Sequence, residues 1–193
     1  MKLDKNYWAE RYQTQQTGWD IGYPAPALVE YITQIEEKTI KILIPGAGNA
    51  YEAAYLYRQG YTNIYILDFV PKVLEGFMQK IPDFPKEQVI VKDFFNYTNT
   101  FDIILEQTFF CAIPKEKRER YCLQVQKLLK PQGKIVGVLF ASEFEKPGPP
   151  FGGVKEDYQK LFSNFFNIST LAPCYNSIPP RQGNELFFIF ENN

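Results

Sequence analysis

The stretch that decides the fold runs from Ile40 to Asp68, IKILIPGAGNAYEAAYLYRQGYTNIYILD. Ile40–Ile44 is an apolar run of strand length, short enough to be buried on both faces of a sheet. Pro45-Gly46-Ala47-Gly48-Asn49 interrupts it, and Ala50 to Gln59 then reads as a helix. Asn49 and Glu52 have the spacing of a capping box, and Gly60 stands where a C′ glycine belongs. Asn63–Leu67 forms the next strand run and ends at Asp68. Gly46 and Gly48 let the backbone turn tightly and approach a ligand with no Cβ in the way. The helix start offers free N–H groups and the positive end of a dipole. Asp68, 22 residues after Gly46, is placed to accept hydrogen bonds from ribose hydroxyls. The same spacing also describes a plain tight turn feeding a capped helix.

Outward from this unit the alternation continues. Pro71 opens another helix at its first turn. Gln88–Val91 is a third strand, followed by Asp93-Phe94-Phe95, and Phe101–Leu105 is a fourth, followed by Glu106-Gln107. A helix over Lys115–Leu129 and a fifth strand over Lys134–Phe140 complete an alternating β/α core with a parallel sheet. Two further apolar runs, Phe166–Leu171 and Glu185–Phe190, have no room for a crossover helix between them and therefore pair antiparallel. Upstream, Asp4 to Gln13 and Pro26 to Glu37 read as helices, the second with Leu28, Ile32 and Ile35 on one face. The turn-rich loop TQQTGWDIGYP joins them.

The chain has 193 residues with 21 basic and 22 acidic side chains, which fits one domain and gives no basic face for nucleic acid. Histidine is absent, which removes imidazole bases, Ser-His-Asp triads and His-containing metal sites. No metal-ligand set is read, and no side chain is assigned as a catalytic group. Cys111, Cys122 and Cys174 are scattered and read as reduced core thiols. The charged N-terminus lacks an apolar signal region, and no apolar stretch is long enough to cross a bilayer, so a cytoplasmic protein is expected. A small-molecule substrate and a monomeric state, with no nucleic-acid or membrane partner, are the accompanying expectations.

Tyr51 bears on the ligand. A pyrophosphate-binding loop carries a third glycine three residues after Gly48, and a bulky tyrosine there disfavours a nicotinamide dinucleotide. S-adenosyl-L-methionine, with an adenosine and an amino-acid tail but no phosphate, suits the loop better. Asp93 and Phe94 offer a carboxylate for an adenine amino group and a ring for the purine face; a solvated Asp beside a core Phe is the alternative. Trp8 and Trp19, the only tryptophans, lie in the first twenty residues. They suggest an N-terminal segment, residues 1–37, folded down as a lid, or ordinary docking of that segment on the core. Phe109 to Ile113 follows the fourth strand, where a transferred group would sit, although the same residues suit a core. Arg181, on the turn side of the last hairpin, is within reach of an anionic substrate or is simply solvated.

Taken in order, Trp8, Trp19-Asp20-x-Gly22, Ile44-Pro45-Gly46-x-Gly48, Leu67-Asp68, Asp93-Phe94-Phe95, TFFCAIP from Thr108, GPPF from Gly148 and Arg181-x-Gly183 resemble the thiopurine S-methyltransferase family. Within it they lean toward the methyl halide and thiol methyltransferases. The resemblance implies the α/β fold of class I methyltransferases, a Rossmann-like three-layer sandwich with a mostly parallel seven-stranded sheet and an antiparallel last strand, all in one domain, 1–193. It places contacts to S-adenosyl-L-methionine on Trp8, Tyr12, Trp19, Gly46, Gly48, Asp68, Asp93, Phe94 and Gln107. Trp19, Tyr23, Phe110 and Arg181 are the expected substrate contacts. Tyr12 replaces a tryptophan and Gln107 an arginine or tyrosine at the matching positions. The implied reaction is methyl transfer to a thiolate, bisulfide or halide. A nicotinamide-dependent oxidoreductase and a non-catalytic module binding the same cofactor are the alternatives.

Overall fold

The computed structural model describes residues 2–193; Met1, the first residue of the expected domain and of its lid segment, lies outside the described residues. Helices α1 (Lys5–Gln13) and α2 (Pro26–Thr33) precede the alternating core. That core comprises β1 (Ile42–Pro45), α3 (Tyr51–Arg58), β2 (Ile64–Asp68), α4 (Pro71–Lys80), β3 (Val89–Val91), β4 (Phe101–Gln107), α5 (Arg118–Leu128) and β5 (Leu129–Phe140). Helix α6 (Lys155–Phe162) and strands β6 (Asn167–Pro173) and β7 (Glu185–Glu191) close the chain. The sheet order is β3-β2-β1-β4-β5-β7-β6, and β7 alone runs antiparallel, inserted between β5 and β6. None of the described helices is long and apolar enough to cross a membrane.

Both faces of the sheet are buried, as continuous apolar strands require. On one face Ile42, Ile44, Ile64, Ile66, Ile103 and Leu105 pack with Leu28 and Ile32 of α2, Leu56 of α3 and Phe77 of α4. On the other, Leu43, Ile104 and Ile135 pack with Tyr121 and Val125 of α5 and Phe162 of α6. The aromatic excess is largely spent there: the Phe162, Phe188 and Phe190 rings lie with centroids 4.5–6.3 Å apart.

Three local expectations are corrected. The capping box at Asn49 and Glu52 does not form. Ala50 sits at φ +52°, Asn49 donates its side-chain amide to Asp20, and the buried Glu52 carboxylate accepts the Ala25 N–H at 2.9 Å. Long-range partners for both side chains outcompete the local cap. Helix α2 stops at Thr33, and Tyr61 donates its hydroxyl to the carbonyls of Ile32 and Ile35, which frees the chain to turn there. Strand β4 runs on to Gln107 and β5 begins at Leu129, with a register break opposite Phe101–Ile103 that absorbs the Lys130–Gly133 turn.

The carboxyl end of β4 carries a fully buried acid, Glu106. Its oxygens accept the Phe109 N–H at 2.8 Å, the Phe110 N–H at 2.9 and 3.1 Å, and the Tyr121 hydroxyl at 3.5 Å. These bonds fix a turn in which Thr108 adopts φ +56°, a left-handed conformation that costs a non-glycine residue energy. Burial pushes the Glu106 carboxyl up to about 7, against the opposing pull of its donors. A folded-state value raised above the ordinary 4.5 means that the folded chain holds a proton which the unfolded chain has released. Stability therefore falls as pH rises through that window and levels off above about 7. Glu106→Gln keeps an acceptor for both N–H groups and cannot ionise. Urea unfolding between about pH 5 and about pH 8 should show this pH-dependent loss, on the order of 1–3 kcal/mol, removed in the variant.

Candidate active site

The glycine loop between β1 and α3 takes the conformation its sequence demands: Gly46 at φ +58° and Gly48 at φ +52°. A Cβ at Gly46 would fall 2.2 Å from the Phe109 ring, and one at Gly48 would fall 2.8 Å from the Tyr12 hydroxyl. No larger residue fits at either position without moving an aromatic side chain. The Gly48 N–H donates to Asp68 Oδ2 at 3.1 Å and the Val70 N–H to Oδ1 at 2.9 Å, so one carboxylate joins the loop to the end of β2. Asp68 is 6% exposed, and burial raises its carboxyl above the usual range. Each oxygen has one backbone donor and keeps lone-pair capacity for another.

A cleft of about 500 Å³ opens above this loop, at the carboxyl ends of the parallel strands. Gly46, Asp68, Asp93 and Phe94 line it from the sheet. Trp8, Tyr12 and Trp19 line it from the N-terminal segment. Helix α1 buries no residue of its own, so edge-to-face contacts of Trp8 (5.3 Å) and Tyr12 (5.5 Å) with Trp19 carry much of its attachment. Asp20 anchors the following loop by accepting from Asn49 and from the Tyr51 hydroxyl at 3.3 Å. Tyr51, read from sequence as an obstacle to pyrophosphate, thus also latches this loop. Asp93 accepts the Phe95 N–H at 2.8 Å, and the Phe94 ring is mostly core, stacked on Tyr121 at 5.4 Å.

The sequence-derived set splits in space. Trp8, Tyr12, Trp19, Gly46, Asp68, Asp93, Phe94 and Arg181 share the main cleft. Gly48, Gln107 and Tyr23 line an adjoining cavity of about 50 Å³, which shares Tyr12, Trp19, Gly46 and Thr108 with the cleft. Tyr23 is 45% exposed at its rim. Phe110 is a correction: it is 1% exposed and packs into the core against Tyr121 and Phe162, beneath the Arg118 guanidinium. The left-handed Thr108 turns Phe109 into the cleft instead and sends Phe110 behind it. Phe69 and Phe140 also line the cleft and were missed. Both lie at or just past the carboxyl end of a strand, which is the signal that finds them. Lys92 and Lys117, also missed, sit on the lining with no sequence cue beyond charge.

Arg181 is neither solvated nor free. It is 8% exposed, donates Nη2 to the Trp19 carbonyl at 2.9 Å and holds Nη1 3.4 Å from Glu185 Oε1, with its guanidinium 5.5 Å from the Phe140 ring. Cys111 lines the same end of the cleft and donates its thiol to the Thr108 carbonyl at 3.2 Å. Burial pushes that thiol well up, so it stays protonated and is no rival nucleophile.

An adenosyl donor with an ammonium-bearing tail fits these residues. Asp68 has acceptor capacity on the cleft wall, rings flank the space, and Gln107 Oε1 is buried without a hydrogen-bond partner beside the glycine loop. An orphaned buried acceptor is costly unless a donor group joins it.

The thiopurine S-methyltransferase family model matches residues 3–191. A probable thiol methyltransferase 2 of Arabidopsis thaliana is 25% identical over 184 residues, covering 92% of this chain and 81% of that protein. Thiocyanate methyltransferase 1 of the same plant is 23% identical, covering 95% and 83%. Among solved structures, the 1,6-didemethyltoxoflavin-N1-methyltransferase of Burkholderia thailandensis, crystallised with S-adenosylhomocysteine, superposes with a TM-score of 0.78 at 15% identity, covering 99% of this chain and 88% of that one. The family match spans the glycine loop, the aromatic cover and the closing hairpin alike: the chain belongs to the thiopurine S-methyltransferase family, as an enzyme whose methyl donor is S-adenosyl-L-methionine.

Proposed function

We propose that this methyltransferase delivers its methyl group to a small, soft nucleophile, a thiolate, bisulfide or halide, by in-line displacement. The observation that carries the reading is the lining of the cleft, where Phe109, Ile113 and Phe140 supply apolar walls and Lys117 a positive charge. Bound S-adenosyl-L-methionine supplies an electrophilic methyl on a sulfonium. Asp68 holds the ribose hydroxyls, Gln107 Oε1 accepts from the ammonium, and the Trp8, Tyr12 and Trp19 cover excludes water. Phe109 and Phe140 strip solvent from the incoming anion, which raises its nucleophilicity, and Lys117 keeps the entrance favourable to negative charge. A nucleophile that arrives ionised needs no proton removed, in keeping with a chain that contains no histidine. The relatives named for thiol and thiocyanate methylation support the same choice of acceptor.

Offered iodide, bisulfide and an aromatic thiol in parallel with the donor, the enzyme should release methylated products detectable by headspace gas chromatography. Failure with all three, together with a thermal shift from NADH but none from S-adenosyl-L-methionine, would overturn the reading. With a thiol acceptor, kcat/KM should climb with pH and flatten at the free thiol's own pKa, with no further limb from an enzymic base. Asp68→Ala should weaken donor binding by about ten- to a hundredfold in calorimetry, the loss of one or two buried hydrogen bonds to a charged acceptor. Unchanged affinity would remove Asp68 from the donor site.

A further inference from the structure

Among the described cationic side chains that line the cleft, Arg181 alone is buried, and its donors turn to the protein itself. Its guanidinium joins two segments 162 residues apart in sequence, the hairpin between β6 and β7 and the loop that follows α1. Glu185, 6% exposed, fixes it from behind, and the Phe140 ring lies across it. The group it grips is the backbone carbonyl of Trp19. Trp19 is also the residue on which Trp8 and Tyr12 rest, while no residue of α1 is fully buried. The aromatic cover therefore hangs on Trp19, held at its carbonyl by Arg181 and through Asp20 by Asn49 and Tyr51.

We infer that Arg181 is a positioning residue, a clasp that seats the N-terminal segment over the cleft as a lid and so governs retention of the donor, rather than a charge that stabilises the acceptor. A guanidinium suits this work because its planar fork reaches a carbonyl and a carboxylate at once, whereas an ammonium offers no such fixed geometry. Opening of the lid breaks the Trp19 contact, and closure restores it, so the strength of this bond sets how long the cover stays down. The inference rests on the donor site proposed above, but the seating of Trp19 is testable without any ligand.

Trp8 and Trp19 are the only tryptophans, so tryptophan emission, excited at wavelengths where the 13 tyrosines do not absorb, reports on the cover. In the free enzyme, Arg181→Ala should red-shift the emission and increase acrylamide quenching. Its donor affinity in calorimetry should fall by about tenfold, as expected for one charge-assisted hydrogen bond, with the pH midpoint of thiol methylation unmoved. Glu185→Gln, which removes the anchor and leaves the guanidinium in place, should move emission and affinity in the same direction to a smaller extent. If Arg181→Ala does not fold, Arg181→Lys is measured in its place, with the same direction expected because the fork is lost. Unchanged emission with unchanged donor affinity would overturn the inference. So would an intact donor affinity accompanied by a pH midpoint displaced upward, which would make Arg181 a thiolate-stabilising group. Failure of the acceptor assignment alone would leave the fluorescence and affinity results standing.

Discussion

The site depends on one short-range interaction, the Gly48 N–H donated to the Asp68 carboxylate. It fastens the loop leaving β1 to the end of β2, so the floor of the cleft is a rigid join between adjacent strands. Because Val70 donates to the other oxygen, the acid is oriented before any ligand arrives. Its burial costs free energy, which backbone donors offset in part. Everything that distinguishes this enzyme is added above that floor: rings from the N-terminus, rings from the ends of β4 and β5, and the cations Lys92 and Lys117 on the lining.

The upper part is held differently from the floor. Strand pairing fixes Asp68 and core packing fixes Phe94, whereas Trp8 and Tyr12 are attached mainly through Trp19. A floor of high local stability under a cover of few buried contacts is the distribution expected of a site that must admit and release a bulky donor. Between the two stands the turn at Thr108, with Glu106 beneath it and Phe109 above, so that a buried carboxylate on the core side sets the position of a wall on the solvent side.

The architecture was legible because its signals are local and repeated. Apolar runs at β1, β2, β4 and β5 separated by helical spacing leave few alternatives, and the short link between the last two runs forces one antiparallel strand. The glycine loop and Asp68 were legible for the same reason, since spacing along one βαβ unit fixes their neighbourhood. What sequence could not supply were choices settled by distant partners. Glu52 looks like a capping residue until Ala25 offers it an N–H, and Arg181 looks like a solvated loop residue until the Trp19 carbonyl is brought beside it. Phe109 and Phe110 are interchangeable as letters; only the left-handed Thr108 decides which faces the ligand. Gln107 lies in a small cavity that adjoins the main cleft, and its unpartnered Oε1 there is visible only once β4 is aligned beside β1.

The near-contact of Gly46 with the Phe109 ring ties two positions 63 residues apart into a single unit of inheritance. A side chain at 46 is tolerable only if the ring at 109 shrinks or swings away, and such a change reshapes the acceptor wall at the same time. Drift at 46 is blocked while the ring remains, so loss of the ring at 109 must come first or together with it. Any side chain that appears at position 46 in descendants of this chain should therefore be found with a smaller residue in place of the phenylalanine that crowds it.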